Sequence, residues 1–150
     1  MNAKLLHKLS RTTAPDSVLI IRILVGAVFL SEGIQKFLFP DAVGVGRFIT
    51  IGIPAPEIIA PFVGTVEILC GILLLFGLFT RPAAATLIIN MIVAIMTTKV
   101  PILMERGFWA MAHDARTDWA MILGCLFLVI VGAGPRSIDA GLSSALGDSQ

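Results

Sequence analysis

Residues 18–39 read VLIIRILVGAVFLSEGIQKFLF, a run of apolar side chains without alternation in which the only charges are Arg22, Glu32 and Lys36. A helix needs about 20 such residues to cross a hydrocarbon core about 30 Å thick, so this run predicts a membrane span. A charge at the centre of a bilayer costs at least about 2.5 kcal/mol, so charges inside a span turn inward, pair with one another and mark a site. The same stretch therefore names both a membrane helix and the start of a polar interior.

Outward from it, three more runs repeat the pattern, at 58–79, 83–98 and 119–133. Over the whole 150-residue chain, 57% of residues are hydrophobic, 14% are charged, and the mean hydropathy is +0.94. These values lie outside the range of soluble globular domains. Continuous runs argue for helices, and the lack of period-two alternation argues against an outer-membrane barrel. The expected fold is an all-α membrane protein, a four-transmembrane-helix bundle forming one domain over 1–150, with a short interfacial segment between the first two helices.

The connections differ in character. Residues 1–16 are polar and basic and read as a tail, with Asp16 or Ser17 placed to cap the first helix. The stretch DAVGVGRFITIGIPAPE, 41–57, is too rich in Gly and Pro to span and predicts a short interfacial helix followed by a proline-pinned turn. Pro61 falls inside the second helix or its first turn. Thr80-Arg81-Pro82 is so short that the helices on either side must be antiparallel neighbours. Residues 99–118 form the longest connection and the expected lid, and 137–150 reads as a disordered tail.

Lys4, Lys8 and Arg11 precede the first span, which places both termini in the cytoplasm of a bacterial-type inner membrane. The span is too long for a signal-peptide core and lacks a cleavage site, so it stays attached. The formal net charge is +1 with scattered basic residues, which gives nucleic acid no patch to bind; the lipid bilayer is the implied partner.

Arg22, Gly26, Phe29, Gly33 and Lys36 step along one face of the first helix at intervals of four, three, four and three, and Glu32 lies on the same broad face. Glu32 and Lys36 are an i, i+4 pair in the favourable order, whereas Arg22 taken alone reads as a side chain snorkelling to headgroups. On the second helix Gly64, Glu67 and Gly71 share a face where small residues admit a close neighbour. Glu67 falls near the midplane, Glu32 about 5 Å to its outer side, and Asn90 at the depth of Glu67 as its natural hydrogen-bond partner. Two readings of Glu67 stay open: a proton-handling carboxyl in a cavity, or a fastener between helices.

Other chemistries lack residues. Cys70 and Cys125 sit in different spans without CxxC spacing or a nearby base, so they read as inert core thiols. His7 and His113 both lie in flanks, which leaves no bis-histidine haem site, and His113-Asp114 lacks a third ligand for a metal. No intrinsic haem or metal is expected.

The runs IRILVGAVFLSEGIQKFLFP, GIPAPE, VEILCGILLLFGLFTRPAA and GAGPRSID together resemble the DoxX family of small four-helix membrane proteins, a resemblance that extends from about Val18 to Asp139. Arg22, Gly26, Gly33, Lys36, Glu67, Gly71, Gly77, Ser137 and Asp139 match its characteristic positions, while Glu32, His113 and Cys125 fall outside the pattern. The family is similar to the membrane subunit of thiosulfate:quinone oxidoreductase. The resemblance thus implies a quinone-associated redox subunit or accessory protein, with quinone as the candidate cofactor. In that scheme Glu67 and Glu32 are the catalytic proton carriers, while Arg22, Lys36 and Asn90 hold the ligand. Electrons would come from a redox partner protein or a bound cofactor. Homo-oligomerisation is left open. The rival is a non-catalytic anchor, assembly factor or small-molecule permease whose charges are structural.

Overall fold

The computed structural model describes residues 14–147. Among them the regular elements are all helical: α1 Val18–Leu38, α2 Val45–Thr50, α3 Pro56–Phe76, α4 Thr80–Arg106, α5 Phe108–Asp114, α6 Arg116–Val131 and α7 Ile138–Gly147. The basic cluster Lys4, Lys8 and Arg11 lies outside the described residues.

Among the described residues, three helices are long and apolar enough to cross a membrane, α1 and α3 with 21 residues each and α4 with 27. α6, which carries the fourth expected span, has 16 residues and so measures about 24 Å, short of a hydrocarbon core about 30 Å thick. It packs along α4 and touches α1, so it belongs to the same bundle.

Two expectations about connections are corrected. The third span does not end at Thr98: α4 runs on through Pro101 to Arg106, and α5 and α6 follow with single-residue breaks at Gly107 and Ala115. Lys99, which reads as the end of an apolar run, turns inward to acids of the following helices and is buried, so its charge does not stop the helix. The stretch 99–118 is therefore mostly helix rather than loop. Likewise 138–147, expected to be disordered, is α7, tied down through Asp139.

Alternating helix directions give the bundle two ends. The start of α1, the end of α3, the start of α4, the end of α6 and α7 share one, here called the terminal end; α2, α5 and the opposite helix ends make the distal end. α1 and α3 form the tightest pair. A Cβ at Gly33 would lie 2.6 Å from the Gly64 carbonyl oxygen, and one at Gly71 would lie 2.8 Å from the Leu30 nitrogen. Two glycines on each helix thus let the backbones touch, as the small-residue face of Gly64 and Gly71 predicts.

The terminal end is closed by one arginine. Arg22, 2% exposed, donates from Nε to the Leu74 carbonyl (2.9 Å), from Nη2 to Leu75 (2.9 Å), and from Nη1 to Ala133 and Arg136 (2.8 Å each). These carbonyls belong to the last turn of α3 and the turn after α6, where a helix end leaves carbonyls without the donors of a following turn. α3 stops at Gly77, φ +65°, with Leu78 N donating to the Leu73 carbonyl (2.9 Å) and Gly77 N to Leu74 (3.1 Å). A Cβ on Gly77 would also strike the Arg22 Cζ at 2.6 Å, so glycine is required there twice over. Asp139 completes the lock by accepting from Phe79 N and Thr80 N, both at 2.9 Å, at the start of α4. The start of α1 itself has no side-chain cap: Asp16 pairs with Arg136 at 3.0 Å instead.

Candidate functional site

The distal half of the bundle is hollow. Its cavity, about 430 Å³, is walled by apolar side chains of α1, α3 and α4 and roofed by residues of α2, α5 and α6. From Asn90 to Lys99, both of which line it, it follows α4 for about 13 Å at about 1.5 Å per residue.

The deep end is built around Glu67, 5% exposed at the middle of α3. Its Oε2 accepts from Lys36 Nζ at 2.5 Å and its Oε1 from Asn90 Nδ2 at 2.8 Å. Three helices thereby meet at one carboxyl, and the expected Glu67–Asn90 bond is present. The expected Glu32–Lys36 pair is not formed. Lys36 reaches across to α3 because Gly33 and Gly64 hold the helices close enough, and Glu67 offers a buried partner where the helical neighbour Glu32 is exposed. Glu32 lines the cavity and makes no hydrogen bond among the described residues.

Arg22, expected among the ligand-binding residues, is not brought together with Lys36 and Asn90. Its guanidinium is spent on four backbone carbonyls at the terminal end and takes no part in the cavity lining. It does not snorkel either, because those carbonyls offer a buried charge more bonds than headgroups would.

The mouth was not legible in the sequence as a site. Lys99 Nζ meets Asp114 Oδ2 at 2.6 Å and Asp118 Oδ2 at 3.3 Å, joining α4, α5 and α6. Lys99, chiefly by its hydrogen bond, holds the Asp114 carboxyl below the usual carboxylate range, with Arg47 and Arg106 adding to the effect. A signal existed in the clustering of HDARTD with Lys99, but the pairing needs the chain reversal at Gly107, φ +82°. Arg47 on α2 lines the same mouth. Nearby, α5 buries none of its residues, and Trp109 is 83% exposed on its outer side.

Bundle and cavity define a class: a small helical membrane protein with a polar group of side chains enclosed among its spans. The chain belongs to the DoxX family, whose model matches residues 17–100, more than half of its length. It is 52% identical over 142 residues to the "Uncharacterized membrane protein Rv3486" of Mycobacterium tuberculosis, covering 91% of this chain and 87% of that protein. It is 26% identical over 121 residues to the "Putative oxidoreductase CatD" of Bacillus subtilis, covering 81% and 83%. A Haemophilus influenzae protein matches at 32% over 128 residues, covering 83% and 90%. No solved structure matches.

Proposed function

We propose that this DoxX-family membrane protein is a quinone-associated redox subunit or accessory protein, and that the distal cavity is where the quinone headgroup sits. The observation that carries the reading is the convergence of Lys36, Glu67 and Asn90 on the inner end of the cavity, beside the apolar side chains of Val28, Phe29, Val63 and Met91. Ligand sites combine such walls with a few placed polar groups, in volumes of about 300 to 1,000 Å³. The residues suit the group: Asn90 and Lys36 offer N–H donors to carbonyl oxygens, and Val28, Phe29, Val63 and Met91 offer apolar contact to a ring. A bound quinone supplies a two-electron, two-proton couple, and its electrons come from a partner protein.

This chain's own part is to bind, orient and move protons. Glu67, held by Lys36 and Asn90, exchanges a proton with Lys36 Nζ along the bond they share, and Glu32 is placed to pass protons on. Lys36 is already neutralised by Glu67, so it serves as a donor in a pair rather than as a free positive charge. The relative named as a putative oxidoreductase supports the redox reading.

The same proposal sets α6 as a fourth span, with the termini in the cytoplasm and the cavity mouth on the opposite face of the inner membrane. Quantifying quinone in lipid extracts of the detergent-purified protein tests the function. The expected result is roughly one quinone per chain in wild type, lost in Glu67→Leu. Extracts no richer in quinone than those of an unrelated protein from the same membranes overturn it.

The anchor reading draws on a different observation, the complete use of Arg22 in holding helix ends together. That describes the terminal end; the distal end is hollow, which a fastener does not require.

A further inference from the structure

We infer that the distal cavity is also a binding site for lipophilic organic cations, with Glu32 as the counter-charge. The inference goes beyond the quinone reading and does not depend on it.

The charges that line the cavity do not balance at its deep end. At the mouth Lys99 is matched by Asp114 and Asp118, and Arg47 acts on the same Asp114. Deeper, Lys36 is matched by Glu67, whose second oxygen is taken by Asn90. That leaves Glu32, which has neither an ion pair nor a hydrogen bond among the described residues. It lies about 9 Å from the end of α1, six residues before Leu38 at about 1.5 Å per residue, and therefore within the depth of the hydrocarbon. A carboxylate there calls for a cation or a proton.

Its setting favours a cation that is itself apolar. α1 and α6 close on each other toward the terminal end, where a Cβ on Gly124 would lie 2.6 Å from Val25 Cγ2. Farther along α1, Val28, Phe29 and Glu32 face the open cavity with Met121 on the α6 side. Glu32 is exposed although it lines the cavity, which places it at the lip of this seam. Phe29 and Phe48 add aromatic faces, which attract cations through the ring quadrupole. A small hydrated ion would lose its water among these walls with one carboxylate in return, whereas a bulky organic cation has little hydration to lose. The cavity volume suits a drug-sized guest.

Equilibrium binding of methyltriphenylphosphonium to the detergent-purified full chain tests the inference, with the neutral triphenylphosphine oxide as its near-isostere. Wild type is expected to bind the cation saturably at one site per chain and the oxide about tenfold more weakly or worse, a difference that reports charge and not shape. Glu32→Gln is expected to weaken the cation by about tenfold, while Glu57→Gln, an exposed acid outside the cavity, leaves it unchanged. No saturable binding to wild type, equal binding of cation and oxide, or full binding to a folded Glu32→Gln overturns the site. The comparison of cation with oxide needs no variant, so a misfolded Glu32→Gln does not shield the inference. Wild type that carries quinone as purified but, once the quinone has been extracted, ignores the phosphonium sinks this inference alone; binding of phosphonium by protein that never carried quinone sinks only the redox reading.

Discussion

At the scale of single residues, the polar side chains within the spans divide into two jobs that their identities alone do not separate. Arg22 and Lys36 are both cations on one stripe of α1, yet one closes the terminal end and the other opens the cavity. The difference lies in what each finds: Arg22 meets helix-end carbonyls, which its fork of donors satisfies together, and Lys36 meets one carboxyl, which a point charge satisfies. Arg22→Lys is therefore expected to be nearly as damaging as Arg22→Met, each costing at least about 3 kcal/mol, because an ammonium cannot reach four carbonyls at once. Thermal melts in detergent check this, and a wild-type melt for Arg22→Lys would show that charge alone suffices. Lys36→Met leaves Glu67 without its partner and is expected to cost about 3 to 5 kcal/mol unless the acid takes up a proton. Adding Glu67→Gln should then recover most of the loss, since the buried charge goes with its partner. If Glu32→Leu rescues Lys36→Met instead, the pairing is the one expected from helical spacing and the observed pair is wrong.

At the scale of elements, glycines and one ion pair set how closely the helices approach. Gly33→Ala places a methyl 2.6 Å from the Gly64 oxygen and 2.9 Å from the Ile68 nitrogen, backbone atoms that move only with their helix. The expected penalty is about 1 to 3 kcal/mol, with Lys36 drawn away from Glu67 as the helices separate. Gly107→Ala has no neighbour within 4 Å to strike, so its cost is limited to the strain of φ +82°. Melts of the two variants side by side distinguish packing from conformation. α5 is held to the bundle mainly through Lys99 and Asp114. The Asp114 carboxyl is depressed in the folded protein, so the clasp is intact above the ordinary carboxylate value of about 3.9 and is lost as pH falls through the lower folded value. Protection of the amides over 108–114, taken relative to their intrinsic exchange rate at each pH, is expected to fall at acid pH and to stay flat from neutral pH upward. Lys99→Met should lower that protection at all pH, and protection unchanged by that variant would show that the clasp does not hold α5.

At the scale of the whole molecule, the three long helices α1, α3 and α4 were legible because lipid demands long apolar runs, and the partnership of Glu67 with Asn90 was legible because equal depth on neighbouring helices follows from counting residues. The partner of Lys36 was not, since helical spacing favours Glu32 and only the close approach of α1 and α3 at Gly33 and Gly64 brings Glu67 into reach. Nor was the Lys99 cluster, because Pro101 and the run of charges after it look like a loop until a third helix folds back over α4. The role of Arg22 was hidden for a similar reason: its partners are carbonyls, which a sequence does not display. One end of the bundle is consequently sealed by Arg22 and Asp139, and every polar group of the cavity lies toward the other. Reporter fusions at Gln150 and after Arg81 are expected on the cytoplasmic side, with a fusion at Gly107 opposite; Gln150 and Gly107 on one side would remove the topology. The most direct measurement is photolabelling of the purified protein with an azido-quinone, followed by mass mapping of the adducts. Labelling confined to Val28–Glu32 and Asn90–Thr98, and displaced by excess unlabelled quinone, is the expected result; adducts spread over the lipid-facing residues of α1 and α3, or unaffected by competitor, would contradict a quinone site in the distal cavity.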